Sequence, residues 1–118
     1  MAYTALGDEL ATAGRLDEAT HALRATLALL PRSPTGYYSL GKVYFTQRRL
    51  QQAIDVHSVA LRLPEEPTVP HAYVHNDLGN ALSDATGRTS EVLHHYSSAA
   101  RLMPSFAEAL SSHEQMLR

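Results

Sequence analysis

One phrase recurs along the chain, and it limits the fold more than any other feature. It runs Tyr3-x-x-Leu6-Gly7-x-x-Leu10, then Ala19-x-x-x-Leu23, then Pro31. It returns as Tyr37-x-x-Leu40-Gly41-x-x-Tyr44, Ala53-x-x-x-His57, Pro64. A worn copy follows as His75-x-x-Leu78-Gly79-x-x-Leu82, Val92-x-x-x-Tyr96, Pro104. Each copy holds two apolar stripes at helical spacing, split by a turn. A unit of this size cannot bury its apolar face alone. Stacked copies bury a continuous core, with about three needed for stability.

Punctuation along the chain gives the helices. The first runs from about Ala2 to Ala13 and stops at Gly14. Arg15 to Glu18 restart the chain as a second helix, with Asp17 and Glu18 in the first turn where the helix dipole favours them. Ser33-Pro34 reads as an N-cap followed by proline in the first turn. Helices are expected over about 34–46 and 50–63, then about 70–85 and 89–103. The interval from Leu40-Gly41 to Leu78-Gly79 is longer than that from Leu6-Gly7 to Leu40-Gly41. The excess is an insertion of about four residues into the repeat period. The insertion sits in Glu65-Glu66-Pro67-Thr68-Val69-Pro70. Its two prolines predict a stiff, extended linker, and its acidic pair a solvated one. A last helix, about 105–117, carries polar His113 and Glu114 where earlier units carry Leu-Gly, which suits a cap. Glycine inside a helix costs about 1 kcal/mol relative to alanine. Its return at positions 7, 41 and 79 predicts helix–helix contacts too close for a side chain.

These residues resemble the tetratricopeptide repeat family, whose pattern is W-x2-L-G-x2-Y, A-x3-F and P over about 34 residues. Tyrosine stands for the tryptophan, His57 for the second-helix aromatic of unit two, and His75 and Val92 depart from the pattern in unit three. The resemblance implies an all-α fold: a right-handed α-solenoid of antiparallel helix pairs, about seven helices in all. The units would be about 1–33, 34–67 and 68–104 in a single domain, 1–118, with 105–118 as the capping or partial repeat. Leu6, Gly7, Ala19, Leu40, Gly41, Ala53, Leu78 and Gly79 are expected to pack the repeats together.

The resemblance also implies a concave groove lined by the first helix of each pair, where family members mostly bind peptides or protein segments. In that frame Thr4, Asp8 and Ala11 point inward from unit one. Tyr38, Lys42 and Phe45 do so from unit two, and Tyr73, Asn76, Asp77 and Asn80 from unit three. The last helix adds Ser111 and Gln115. Tyr38, Lys42, Phe45, Tyr73, Asn76 and Asn80 form the candidate peptide-binding set. Asn76 and Asn80, four apart, share a helix face, and two amides can clamp a peptide backbone whatever its side chains. Some members hold the carboxylate tails of heat-shock chaperones with a lysine–asparagine–arginine clamp. The matching positions here carry Thr4, Asp8, Ser39, Tyr73 and Asp77, and the two acids would repel such a tail.

The expected function is therefore protein–protein interaction without catalysis. The alternatives are the partner-binding arm of a larger enzyme, such as a glycosyltransferase, or a self-assembly scaffold that stacks through its end helices. Asn76 to Leu82 and Pro104 to Ala109 are similar to repeats found beside O-GlcNAc transferase-type enzymes, and the start of the first helix almost at Met1 motivates the enzyme-arm alternative. The formal net charge of −2 argues against a nucleic-acid partner, which calls for a basic face, and equally against an anionic membrane. No stretch approaches the ~20 apolar residues of a spanning helix, and no secretion signal is visible, so the expected location is cytoplasmic. There is no cysteine, hence no disulfide frame and no thiolate. Of the seven histidines, His71 and His75 share a helix spacing without an apparent third ligand, His94 and His95 point to different sides, and His57 occupies a packing position. No metal and no cofactor are expected. G-x-S-x-G, P-loop and G-x-G-x-x-G patterns are absent.

Overall fold

The computed structural model describes residues 2–66, 69–87 and 89–103. They form α1 (Ala2–Thr12), α2 (Leu16–Leu29), α3 (Pro34–Thr46), α4 (Leu50–Arg62), α5 (His71–Ala85) and α6 (Thr89–Leu102). The anticipated seventh helix, 105–117, lies outside the described residues. Short turns fold the helices into three antiparallel pairs. Each helix packs on the next in the chain, and α1 also meets α3 as α3 meets α5. The odd-numbered helices thus form one layer and the even-numbered ones the other, in a body of 41 × 27 × 22 Å.

Local chemistry explains the helix ends. The Ser33 hydroxyl accepts from the Gly36 N–H at 3.2 Å, and Pro34 begins the helix behind it. The turns inside the pairs use left-handed backbone. Gly14 has φ +82° and Gly87 has φ +65°. In unit two Arg48 takes φ +62° at the position equivalent to Gly14. That conformation is costly for a side-chain-bearing residue. The Arg48 guanidinium pairs with Asp84 at 2.9 Å and lies 5.5 Å over the Phe45 ring.

The helical glycines are where the layers touch. A Cβ on Gly7 would stand 2.6 Å from Leu23 Cγ, one on Gly41 2.5 Å from His57 Cε1, and one on Gly79 2.7 Å from Tyr96 Cε1. Gly7 and Leu23 have the same separation along the chain as Gly41 and His57, whereas Tyr96 comes one position later after Gly79. Unit three has an additional residue before α6, so the same contact forms one position on. Around these contacts runs a chain of apolar clusters. Ala19, Leu23, Leu40, Val43, Tyr44, Ala53 and Ala81 join units one to three; Leu78, Leu82, Val92 and Tyr96 close the third pair; Ile54 touches both groups.

Two expectations change here. Leu6 does not pack between repeats, as its place in the motif predicts, but is 45% exposed. Its equivalents Leu40 and Leu78 are covered by the preceding pair, whereas α1 has no described pair before it. The described ends of the 65–70 linker, 65–66 and 69–70, are neither far apart, as an extended linker would hold them, nor merely solvated. The Val69 N–H donates to the Glu66 carbonyl at 3.0 Å, which joins the two sides of the linker. Glu65 accepts from the His71 N–H at 2.7 Å at the start of α5, and Glu66 accepts from the Thr35 hydroxyl at 3.0 Å. Both acids tie the insertion down, and Val69 is buried with Ala60 and Val74. Glu66 and Val69 stay joined across the insertion, and α5 still packs on α4.

Candidate functional site

The layer of α1, α3 and α5 presents a groove with two adjoining hollows. One, of about 170 Å³, is lined by Lys42, Phe45, Thr46, His57, Asp77 and Asn80. The other, of about 380 Å³, is lined by Asp8, Ala11, Thr12, Leu16, Ser39, Lys42, Val43 and Thr46. Lys42 and Thr46 border both, so these two side chains of α3 form the ridge between the hollows. A partner crossing the ridge would touch all three pairs.

Lys42 is exposed and makes no ion pair among the described residues. Its ammonium lies 5.4 Å from the centre of the Tyr38 ring, an arrangement that favours a cation over an aromatic face. The Tyr38 hydroxyl donates to the Asp77 carboxylate, and burial, then the Asp77 charge, push its pKa far up. Tyr38 therefore stays a neutral phenol that ties α3 to α5. It is half-buried, as are Phe45 and Asn80, while Tyr73 is 37% exposed in the first turn of α5.

Asn80 and Asn76 do not act as an equal pair. The Asn80 side-chain oxygen accepts from the Tyr96 hydroxyl at 2.6 Å, which fixes the amide and leaves its NH2 as the donor. Asn76 is only 5% exposed, and its side-chain oxygen has no hydrogen-bond partner. The expectation that it faces the groove beside Asn80 is corrected on that point. Shared helix spacing is not shared exposure, and the packing around α5 covers one amide and not the other. Of the candidate set, Lys42, Phe45 and Asn80 line the hollow between units two and three, Tyr38 braces it, and Tyr73 lies nearby on α5. Asp8 and Ala11 reach the second hollow. Thr46 is absent from the sequence-based set although it lies one turn beyond Lys42. The Thr4 side chain, Ser111 and Gln115 lie outside the described residues.

His57 forms part of the floor. It is 1% exposed, tilted against Tyr38 at 5.8 Å between ring centres, and pressed on Gly41. Burial, and secondarily the Lys42 charge, lower its pKa to about 4, so it is a neutral ring at pH 7. Its Nδ1 has no partner. His71, His75, His94 and His95 lie on α5 and α6, where His75 and His95 meet through their Nδ1 atoms. No group of three or more histidine, aspartate or glutamate side chains suited to a metal is found among the described residues. No helix among them is long and apolar enough to cross a membrane.

Helix pairs stacked in two layers, glycines at the layer contacts and a concave face of first helices define an α-solenoid. The tetratricopeptide repeat family model matches residues 4–67, and the chain belongs to that family. No curated protein matches the sequence. Among solved structures, the crystal structure of MamA is 26% identical, with a TM-score of 0.85 over 97% of this chain and 64% of its own. YrrB, described as a TPR protein with an unusual peptide-binding site, is 23% identical with a TM-score of 0.86, over 99% of this chain and 58% of its own. The first TPR of Spaghetti (RPAP3), bound to the HSP90 peptide SRMEEVD, is 17% identical with a TM-score of 0.88, over 98% of this chain and 87% of its own. The chain thus spans about three fifths of MamA and of YrrB. Stacked helical repeats create extended concave surfaces for protein partners.

Proposed function

We propose that this domain binds a segment of a protein partner in the groove, without catalysis. The observation that carries the reading is the pair of hollows on either side of the Lys42–Thr46 ridge, lined from all three helix pairs. The partner segment lies across the ridge. One apolar side chain enters the smaller hollow against Phe45 and His57. The Asn80 NH2 donates to a backbone carbonyl, and Tyr73 adds flat apolar area at the edge. Lys42, free of ion pairs among the described residues, meets a carbonyl or carboxylate of the segment. Asp8 and Asp77 keep the groove from favouring a tail with several carboxylates. YrrB and RPAP3 support peptide binding as a use of this fold by their own descriptions. Affinity is modest, because ordering the segment offsets much of what its burial contributes.

The test begins with peptides selected from a random displayed library against the folded domain. Their binding is then mapped by amide and side-chain chemical shifts. Shifts centred on Lys42, Phe45, Thr46, Tyr73 and Asn80 are expected, and the Lys42→Ala plus Asn80→Ala double variant weakens binding about tenfold or more (~1.4 kcal/mol or more). Shifts confined to α2, α4 and α6 with unchanged affinity in the variant would overturn the groove reading.

A further inference from the structure

The repeat calls for a large aromatic at the position held by Tyr37 in unit two, and unit three has His75 there. His75 meets α6: its Nδ1 is 2.9 Å from Nδ1 of His95. The ring centres are 5.1 Å apart. The nitrogens are thus far closer than the centres, so the rings meet edge to edge through these two atoms. At this distance one Nδ1 carries the proton and the other accepts it. The contact exists with both rings neutral, or with one charged. With both charged it has two donors, no acceptor and two like charges.

The surroundings sharpen this condition. On α6 the His94 ring lies 5.1 Å from that of His95. On α5 His71 sits one turn before His75, with its Nε2 held 3.1 Å from the Leu63 carbonyl. Arg101 adds positive charge toward His75, and Glu91 alone acts in the opposite sense, on His95. The charged residues of α4, Asp55 and Arg62, are exposed to solvent. Tyr96 follows His95 directly and donates to Asn80, so the position of α6 at this point also sets the groove amide.

We propose that the His75–His95 contact is a latch, opened by acid, that holds the third helix pair closed. Burial, followed for each ring by the charges around it, already opposes protonation: the pKa of His75 falls to about 4, and that of His95 is lowered as well. Lowered histidine pKa values give stability that is full above the unfolded value and is lost as pH falls from there toward the folded value. Below about pH 5 the pair α5–α6 loosens and Asn80 loses its fixed orientation. The effect on binding rests on the groove reading; the latch itself does not.

A mutant cycle tests it: wild type, His75→Gln, His95→Gln and the double variant. Glutamine keeps an amide donor and acceptor but takes up no proton. Unfolding equilibria are measured at pH 7 and pH 5, and His57, common to all four proteins, cancels. Each single variant is expected to remove about tenfold of the acid-induced rise in the unfolded fraction, after discounting for half-exposed rings. The double variant should remove more than either single one but less than the two savings combined, because burial penalises each ring separately while either substitution already relieves the shared contact. Savings that add, or an acid response unchanged in either single variant, would overturn the latch. As a check free of substitutions, the two ring resonances of the wild-type protein should titrate interdependently; two independent curves near pH 6.5 would also overturn it.

Discussion

Replacing His57 with phenylalanine should make the domain markedly less sensitive to acid. His57 is 1% exposed, and its pKa is lowered to about 4, first by burial and then by the charge of Lys42. The unfolded chain protonates this ring from pH 6.5 downward, while the folded chain resists until about 4. Stability is therefore complete above the unfolded value and drains away between the two. At ~1.4 kcal/mol per unit, the most that His57 can withdraw is about 3 kcal/mol, and about 2 kcal/mol of it is gone by pH 5. A domain of this kind has only ~5–15 kcal/mol in total. Phenylalanine suits the slot, since the equivalent residue facing Gly79 is Tyr96. It also removes the unpartnered Nδ1. Urea unfolding followed by helical circular dichroism, at pH 7 and pH 5, gives the free energies for both proteins. The wild type should lose about 2 kcal/mol more than His57→Phe on acidification. Equal losses would refute the argument, because they would mean that the buried ring carries no proton penalty.

Three further substitutions test the contacts that build the stack, each by urea unfolding at pH 7. Gly41→Ala places a Cβ 2.5 Å from the His57 ring; overpacking of ~1–3 kcal/mol should exceed the ~1 kcal/mol of helix propensity gained, and a more stable variant would contradict the close approach. Glu65→Ala removes the acceptor for the His71 N–H and should cost about 0.5–1 kcal/mol, while no change would mean that the loop is held without it. Tyr96→Phe deletes the hydroxyl donated to Asn80 and should cost about 1 kcal/mol; the Asn80 NH2 resonances should broaden or move, and unmoved resonances would count against the fixed amide.

The helices are readable from the sequence because their signals are local. Gly14, Pro31, Ser33-Pro34 and Gly87 mark helix ends through backbone geometry, and the apolar period marks the buried stripes. The recurring glycine is readable too, since its helical cost makes little sense without a close neighbour. What escapes depends on neighbours that spacing does not encode. Leu6 has the same sequence context as Leu40, but only Leu40 has a described pair on its outer side. Asn76 and Asn80 share a helical face, yet the packing around α5 covers one amide and Tyr96 binds the other. The His75–His95 contact needs the α5–α6 register, which one additional turn residue shifts. Glu65 and Glu66 look solvated until the loop closes and brings Thr35 and the His71 N–H within reach. Of the groove, Lys42, Phe45 and Asn80 are legible from the repeat frame, whereas the two hollows that make them neighbours are not.

The closed loop at residues 65–70 separates two kinds of periodicity. Along the chain the repeat count slips there, and the family model's match ends at residue 67. In space the stack continues across it: α5 packs on α4, and α3 meets α5 as α1 meets α3. A segment whose ends are already hydrogen-bonded can gain or lose residues with little further entropy of closure. Such a loop lets chain length drift while the architecture stays in step.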